Sequence, residues 1–345
     1  MPNWTPAVQA FLPPRSVRSP LCAGVAERQP WAMNSDLVRP VVVGVDGSPS
    51  AASALGVGAA EALASGVPLR LVHAYVWPIL YASLANVPWR SSDWETAPAI
   101  TAMVDVTANR VASEHPGLVV QTSVLAGGGG PVLVEASHDA SLVVVGSRGV
   151  GGLSGLLAGS VAPYVASHAR CPVIVVSEGK TTVAAGGHVS VGLDGTPSSL
   201  KALRFACEWA LRSGANVEAV HAVEPDSFDE PDQELDLRRP AQMRLDGWVE
   251  AVRHDFPTVH VRPALVPASA IDALLAASRS ARMIVVGSRR RGEVASLALG
   301  SVGYGLIRRS VCPVAVIHGV STGSLDEPAS ARSPQGSSRG AEGPD

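Results

Sequence analysis

The chain has no uninterrupted apolar stretch long enough to span a bilayer, so a transmembrane helix is not expected. It has no excess of positive charge: 27 Lys and Arg stand against 30 Asp and Glu, a net charge of −3. Nothing general therefore draws it to nucleic acid or to an acidic membrane surface. Four cysteines in 345 residues do not form a disulfide framework. Cys171 and Cys312 hold matching places before apolar runs, as small core residues do. A reducing cytoplasm is the expected compartment. There is no G-x-x-x-x-G-K-S/T loop, which disfavours a P-loop ATPase. No Cys–His or Ser–His–Asp set can be assigned from spacing, so no catalytic residue is expected. His73 and His221 recur within strands and have no His or Cys near them at ligand spacing, so no metal site is expected.

What the chain does have is a glycine pattern. Gly146-x2-Gly149-x9-Gly159-Ser160 follows the apolar run LVVV and leads into a helix-compatible stretch. The order strand, glycine loop, helix start is how backbone N–H groups are presented to a phosphate. Glycine suits such a loop because it accepts positive φ and lets a ligand approach the backbone.

The passage returns from Gly287 to Ile317, and other segments return with it. GVDGS at Gly44–Ser48 recurs as GLDGT at Gly192–Thr196, and LVHA at Leu71 recurs as AVHA at Ala219. The offset is 148 residues from Asp46 to Asp194, but 141 from Gly146 to Gly287. The first copy is therefore longer between LVHA and the loop, where Trp77, Trp89 and Trp94 read as packing residues or a lid. Each copy has an ordinary domain size, about 140 residues. The expected domains are 38–179 and 186–319. Residues 1–37 lack a compact h-region and a cleavage site, and read as a disordered extension or a misplaced translation start before Met33. Residues 320–345, rich in Ser, Gly, Pro and Ala, read as a disordered tail.

Within the first copy, apolar runs at Val41–Val45, Leu69–Val76, Leu118–Leu125, Leu142–Val145 and Val173–Val176 predict strands. Ala-rich stretches near Ala51–Ala64, Ala99–Ser113, Val132–His138 and Val161–His168 predict helices. Gly127–Gly130 reads as a loop before a helix. Ser48-Pro49 and Thr196-Pro197 are good helix starts. Alternation of this kind predicts an α/β fold, two tandem doubly wound domains with parallel sheets covered on both faces. If the first and fourth strands are neighbours, Asp46 and Gly146 face one crevice, where such sheets bind ligands.

Together, GVDGS, the spaced glycine loop and the closing CPVIVV strand resemble the universal stress protein family over roughly residues 38–318. The resemblance implies five-stranded sheets of order 3-2-1-4-5, ATP binding with little or no hydrolysis, and a regulatory role in stress, hypoxia or dormancy through an unknown protein partner. It implies pairing through the last strands, within the chain or in a homodimer. Mg²⁺ would accompany the phosphates. Carried over, Gly44, Val45 and Asp46 border adenosine, and Ala74 offers its backbone to adenine. Gly146, Ser147, Arg148 and Gly149 wrap phosphate or ribose, and Gly159, Ser160 and Val161 donate N–H groups. The second-copy counterparts are Gly192, Leu193, Asp194, Ala222, Gly287, Ser288, Gly300, Ser301 and Val302. Arg290 stands where Gly149 does. Beside Arg289, it either fills the phosphate space, at about 1–2 kcal/mol if positive φ is needed there, or pairs with phosphate.

Three functions fit this reading: an ATP-dependent regulator, a slow ATPase or nucleotidyl-transfer enzyme, and a nucleotide-free dimerisation scaffold. Asp46 and Asp194 also suit plain Asp-Gly turns, and Arg289–Arg291 suits a solvated loop.

Overall fold

The computed structural model describes residues 38–76, 96–149, 159–179, 187–224, 231–288 and 299–318. Both expected termini, the three insert tryptophans, Arg289 and Arg290 lie outside these residues.

The first half runs β1 (Val41–Gly44), α1 (Pro49–Ser65), β2 (Leu69–Tyr75), α2 (Thr96–Glu114), β3 (Val120–Ala126), α3 (Gly129–Ala136), β4 (Leu142–Gly146), α4 (Val161–His168) and β5 (Val173–Val176). The second runs β6 (His188–Gly192), α5 (Pro197–Ser213), β7 (Val217–Val223), α6 (Pro231–Arg253), β8 (Val261–Pro267), α7 (Ala270–Ala277), β9 (Ala281–Gly287), α8 (Ser301–Arg309) and β10 (Val314–Ile317). Ser48 and Thr196 start α1 and α5, each accepting a backbone N–H on its side-chain oxygen ahead of a proline. Gly66 and Gly214 end the same helices at φ 65° and 63°, a left-handed turn that suits glycine.

Each half has the strand order 3-2-1-4-5, all parallel. The halves are joined because β5 and β10 pair antiparallel, Ile174 opposite Ala315. The last strands thus pair within one chain and make a single ten-stranded sheet. Since that seam is antiparallel, the carboxyl ends of the two parallel sets point to opposite edges of the sheet.

Strand side chains alternate between two cores. Val41 and Val43 join the cluster under α1, α2, α5 and α6; Val42 joins the one under α3, α4, α7 and α8. All three are essentially fully buried, and each such side chain contributes about 1.5–3 kcal/mol. Both faces being covered explains the continuous apolar runs.

One local expectation needs correction. Gly127–Gly130 is not all loop: Gly128 caps α3, and Gly129 and Gly130 form its first turn. A Cβ on Gly130 would lie 2.6 Å from Cδ1 of Tyr164 on α4, so the small residue makes room for that ring. The second half reverses the sizes. Ile271 lies against Gly305, where a Cβ would come within 2.9 Å of its Cδ1.

Candidate functional site

β1 and β4 are neighbours, Val43 beside Val144, so Gly44–Asp46 and Gly146–Gly149 emerge at one edge of the sheet. The edge is braced from three sides. Val45 donates its N–H to the Val72 carbonyl at 2.9 Å, while its own carbonyl lies 2.7 Å from Nδ1 of His73. Asp46 Oδ1 accepts the Ser48 N–H at 3.0 Å. Ser48 and Ser50, at the start of α1, both donate their hydroxyls to the Arg148 carbonyl. Arg148 also pairs with Glu178 at 3.1 Å, but both side chains are about half exposed, and such pairs contribute about 0–1 kcal/mol.

None of Gly146, Gly149 and Gly159 has the positive φ that was expected, and protein neighbours also require small residues here. A Cβ on Gly149 would stand 2.7 Å from Asp46 Oδ2, so the glycine lets the aspartate approach the loop. Gly146 lets α1 approach the strand: its Cβ would meet the Ser50 carbonyl carbon at 2.7 Å and the Ala51 nitrogen at 2.8 Å. Gly287 meets Ser198 and Ser199 in the same way, at 2.5 and 2.7 Å. The Gly159 N–H is not available to a phosphate, because it already donates to the Ser147 carbonyl at 2.9 Å. Ser160 makes no side-chain cap bond and is exposed, and it leads directly into α4 with Val161. N–H groups in the first turn of a helix have no intrahelical acceptor.

In the second half the corresponding strand ends, at the opposite edge of the sheet, form a partly open cleft. Of the residues anticipated from sequence, Gly192, Leu193, Asp194, Ala222, Gly287, Gly300 and Val302 line it; Ser288 and Ser301 do not. Ser288 is buried at the end of β9, and its hydroxyl has no hydrogen-bond partner among the described residues. Asp194 Oδ1 accepts both the N–H and the hydroxyl of Thr196, and His221 Nδ1 lies 2.8 Å from the Leu193 carbonyl. Asp46 and Asp194 therefore do hold turns, as the plainer reading supposed.

Sequence reasoning missed Ser199, Val220, Ala270, Leu274, Val286 and Gly303, which also line the cleft. Val220 was recoverable, since it shares a strand face with Ala222. Leu274 and its counterpart Leu133 were not. Each comes from a helix that crosses the strand end, where a Cβ on Gly192 or Gly44 would lie 2.9 Å from its Cδ1. Both histidines are bonded to backbone, and among the described residues there is no group of three or more metal-ligating side chains. No described helix is long and apolar enough to cross a membrane.

A model of the "Universal stress protein family" matches residues 38–177 and again 187–318. Universal stress protein Rv2005c of Mycobacterium tuberculosis is 34% identical over 293 residues, covering 80% of this chain and 96% of its own. Universal stress protein Rv2623 of the same organism is 30% identical over 286 residues, covering 80% and 95%. Among solved structures, a universal stress protein from Archaeoglobus fulgidus superposes with a TM-score of 0.59 at 20% identity. That superposition covers 81% of this chain and 98% of the other, and it speaks to the fold.

Proposed function

The chain belongs to the universal stress protein family, and from that premise we propose that it is an ATP-binding regulator whose bound nucleotide sets its interactions with a protein partner. The observation that carries this reading is the paired strand edge. In the first half, an aspartate carboxylate and a glycine loop stand within contact of each other, next to the open start of a helix. Asp46 offers an acceptor for a ribose hydroxyl or the adenine amino group. The Ser160, Val161 and Ala162 N–H groups suit phosphate oxygens, because a helix start carries partial positive charge. In the second half, Val220, Ala222, Leu274 and Val302 supply apolar walls for a base, and Asp194 supplies the acceptor.

The residues present fit the nucleotide in polarity, with apolar side chains and strand-end glycines for a base and a carboxylate for hydroxyl or amino donors. Mg²⁺ would arrive on the phosphates and keep most of its waters, as it does where few protein carboxylates reach it. The site has the character of a holder. Nucleotide is bound there with little or no hydrolysis. A cytoplasmic location and a stress, hypoxia or dormancy role belong to the same proposal.

The test is to denature the purified protein and identify what it releases. ATP at a fixed ratio per chain supports the reading. Protein that carries no nucleotide and takes up none from solution overturns it. ADP accumulating over hours in a wild-type sample, but not in Asp46→Ala, would make the protein a slow ATPase.

A further inference from the structure

Two offsets relate the halves: 148 residues for α1 and α5, and 141 for the segments from β4 and β9 onward. By those offsets Trp209 is the counterpart of Glu61, and Ala315 is the counterpart of Ile174. Each of these residues meets its own counterpart. Ile174 is opposite Ala315 in the antiparallel register of β5 and β10. Trp209 Nε1 donates to Glu61 Oε1 at 2.5 Å. Counterparts face each other in this way along a two-fold axis of an isologous interface. A pseudo-two-fold axis therefore runs through the sheet at Ile174 and Ala315 and through the helix layer at Glu61 and Trp209.

The chemistry on that axis is one-sided. The first half brings a carboxylate, and the second half brings the donors. Arg212 Nη2 lies 3.5 Å from Glu61 Oε2, and the Arg282 guanidinium sits 5.1 Å from the centre of the Trp209 ring. Their counterparts in the first half are Ala64 and Ser141, which carry no charge. Glu61 and Trp209 are only 8% and 6% exposed, so their pairing is shielded from water.

We propose that this on-axis set is a pairing code, by which the first half accepts a second half across the seam and rejects a second copy of itself. Two first halves would set Glu61 against Glu61 with no arginine, and Ile174 against Ile174. Two second halves would set Trp209 against Trp209 among four arginines with no carboxylate, above a pair of alanines. Each like pair carries unpaired charge or overpacking, whereas the unlike pair sets the Glu61 carboxylate against the Trp209 N–H and the Arg212 guanidinium. Rejection built from such penalties is how an interface chooses among similar partners. The seam is thus reserved for closure between unlike halves, which holds the two strand-end sites at opposite edges of one sheet.

Three full-length variants test the code: Glu61→Trp, Trp209→Glu and the two combined. The readouts are melting temperature and hydrogen exchange at Val173–Val176 and Val314–Ile317. Each single variant is expected to lower the melting temperature and expose the seam amides. The combined variant restores an unlike pair and keeps Arg282 beside the new carboxylate, so it should regain more than half of the summed loss. Recovery of less than half, or single variants that behave as wild type, overturns the code. If Glu61→Trp fails to fold, Trp209→Glu is compared with Trp209→Gln. The code expects the Glu variant to be less protected at neutral pH and to regain protection at acid pH, with no such change in the Gln variant. Equal protection of the two at both pH values overturns it.

Discussion

Replacing Gly146 with alanine sets a methyl group against backbone. The new carbon would lie 2.7 Å from the Ser50 carbonyl carbon and 2.8 Å from the Ala51 nitrogen, at the first turn of α1. A helix backbone held by its cap cannot move aside as a side chain can. The substitution is expected to cost about 2–3 kcal/mol, within the range for overpacking a filled site. At about 2–4 °C per kcal/mol for a domain of this size, the melting temperature should fall by about 4–12 °C. Gly149→Ala supplies the contrast. Its new carbon meets only Asp46 Oδ2, at 2.7 Å, and the carboxylate can swing away. The loss is one hydrogen bond, about 0.5–1.5 kcal/mol, partly offset by about 0.4–1 kcal/mol from a stiffer unfolded chain. Gly149→Ala should therefore melt within about 4 °C of wild type and yet bind ATP more weakly, because Asp46 has been turned. Differential scanning calorimetry with ATP titration separates the two effects. A Gly146→Ala protein with wild-type melting, or a Gly149→Ala protein that melts as early as Gly146→Ala, would refute the reasoning.

Burial raises the Cys171 thiol to about 12 and the Cys207 thiol to about 11, so neither forms much thiolate at neutral pH. Iodoacetamide should label these two only as the protein unfolds, which mass spectrometry of native and denatured samples will show. Burial also raises the Glu61 carboxyl above 4.5, opposed by the Trp209 N–H and by Arg212 and Arg282. A carboxyl raised in the folded state favours folding at low pH, and that contribution is lost as pH climbs from 4.5 through the raised value. The melting temperature of wild type relative to Glu61→Gln should therefore be higher near pH 5 than near pH 8. A difference independent of pH would show that Glu61 titrates as it does in the unfolded chain.

The fold was largely legible in the chain because its strands are buried on both faces. A run such as VVVG or VIVV has no polar alternation to confuse with a surface strand, and β5 and α4 fall where the pattern places them. The site was legible in outline, since Asp46 and Gly146 do share an edge. The reasons for its residues were not. Glycine spacing shows that side chains are excluded without showing what excludes them, and the neighbours that a Cβ would meet here include Ser50, Ala51 and Asp46. Local periodicity could not reveal Leu133 and Leu274, which reach the strand ends from crossing helices. Nor could it reveal that Glu61 meets Trp209, since a repeat shows which residues correspond but not which of them lie on an axis.

The central claim is that the paired strand edges hold ATP, and calorimetric titration of the full chain tests it most directly. Wild type is compared with a protein carrying both Asp46→Ala and Asp194→Ala. Loss of a hydrogen bond to a charged acceptor is worth about 1.5–3 kcal/mol, so affinity should fall about 10- to 150-fold while folding is retained. ATP binding of equal strength in both proteins, or no binding by wild type, would contradict the account.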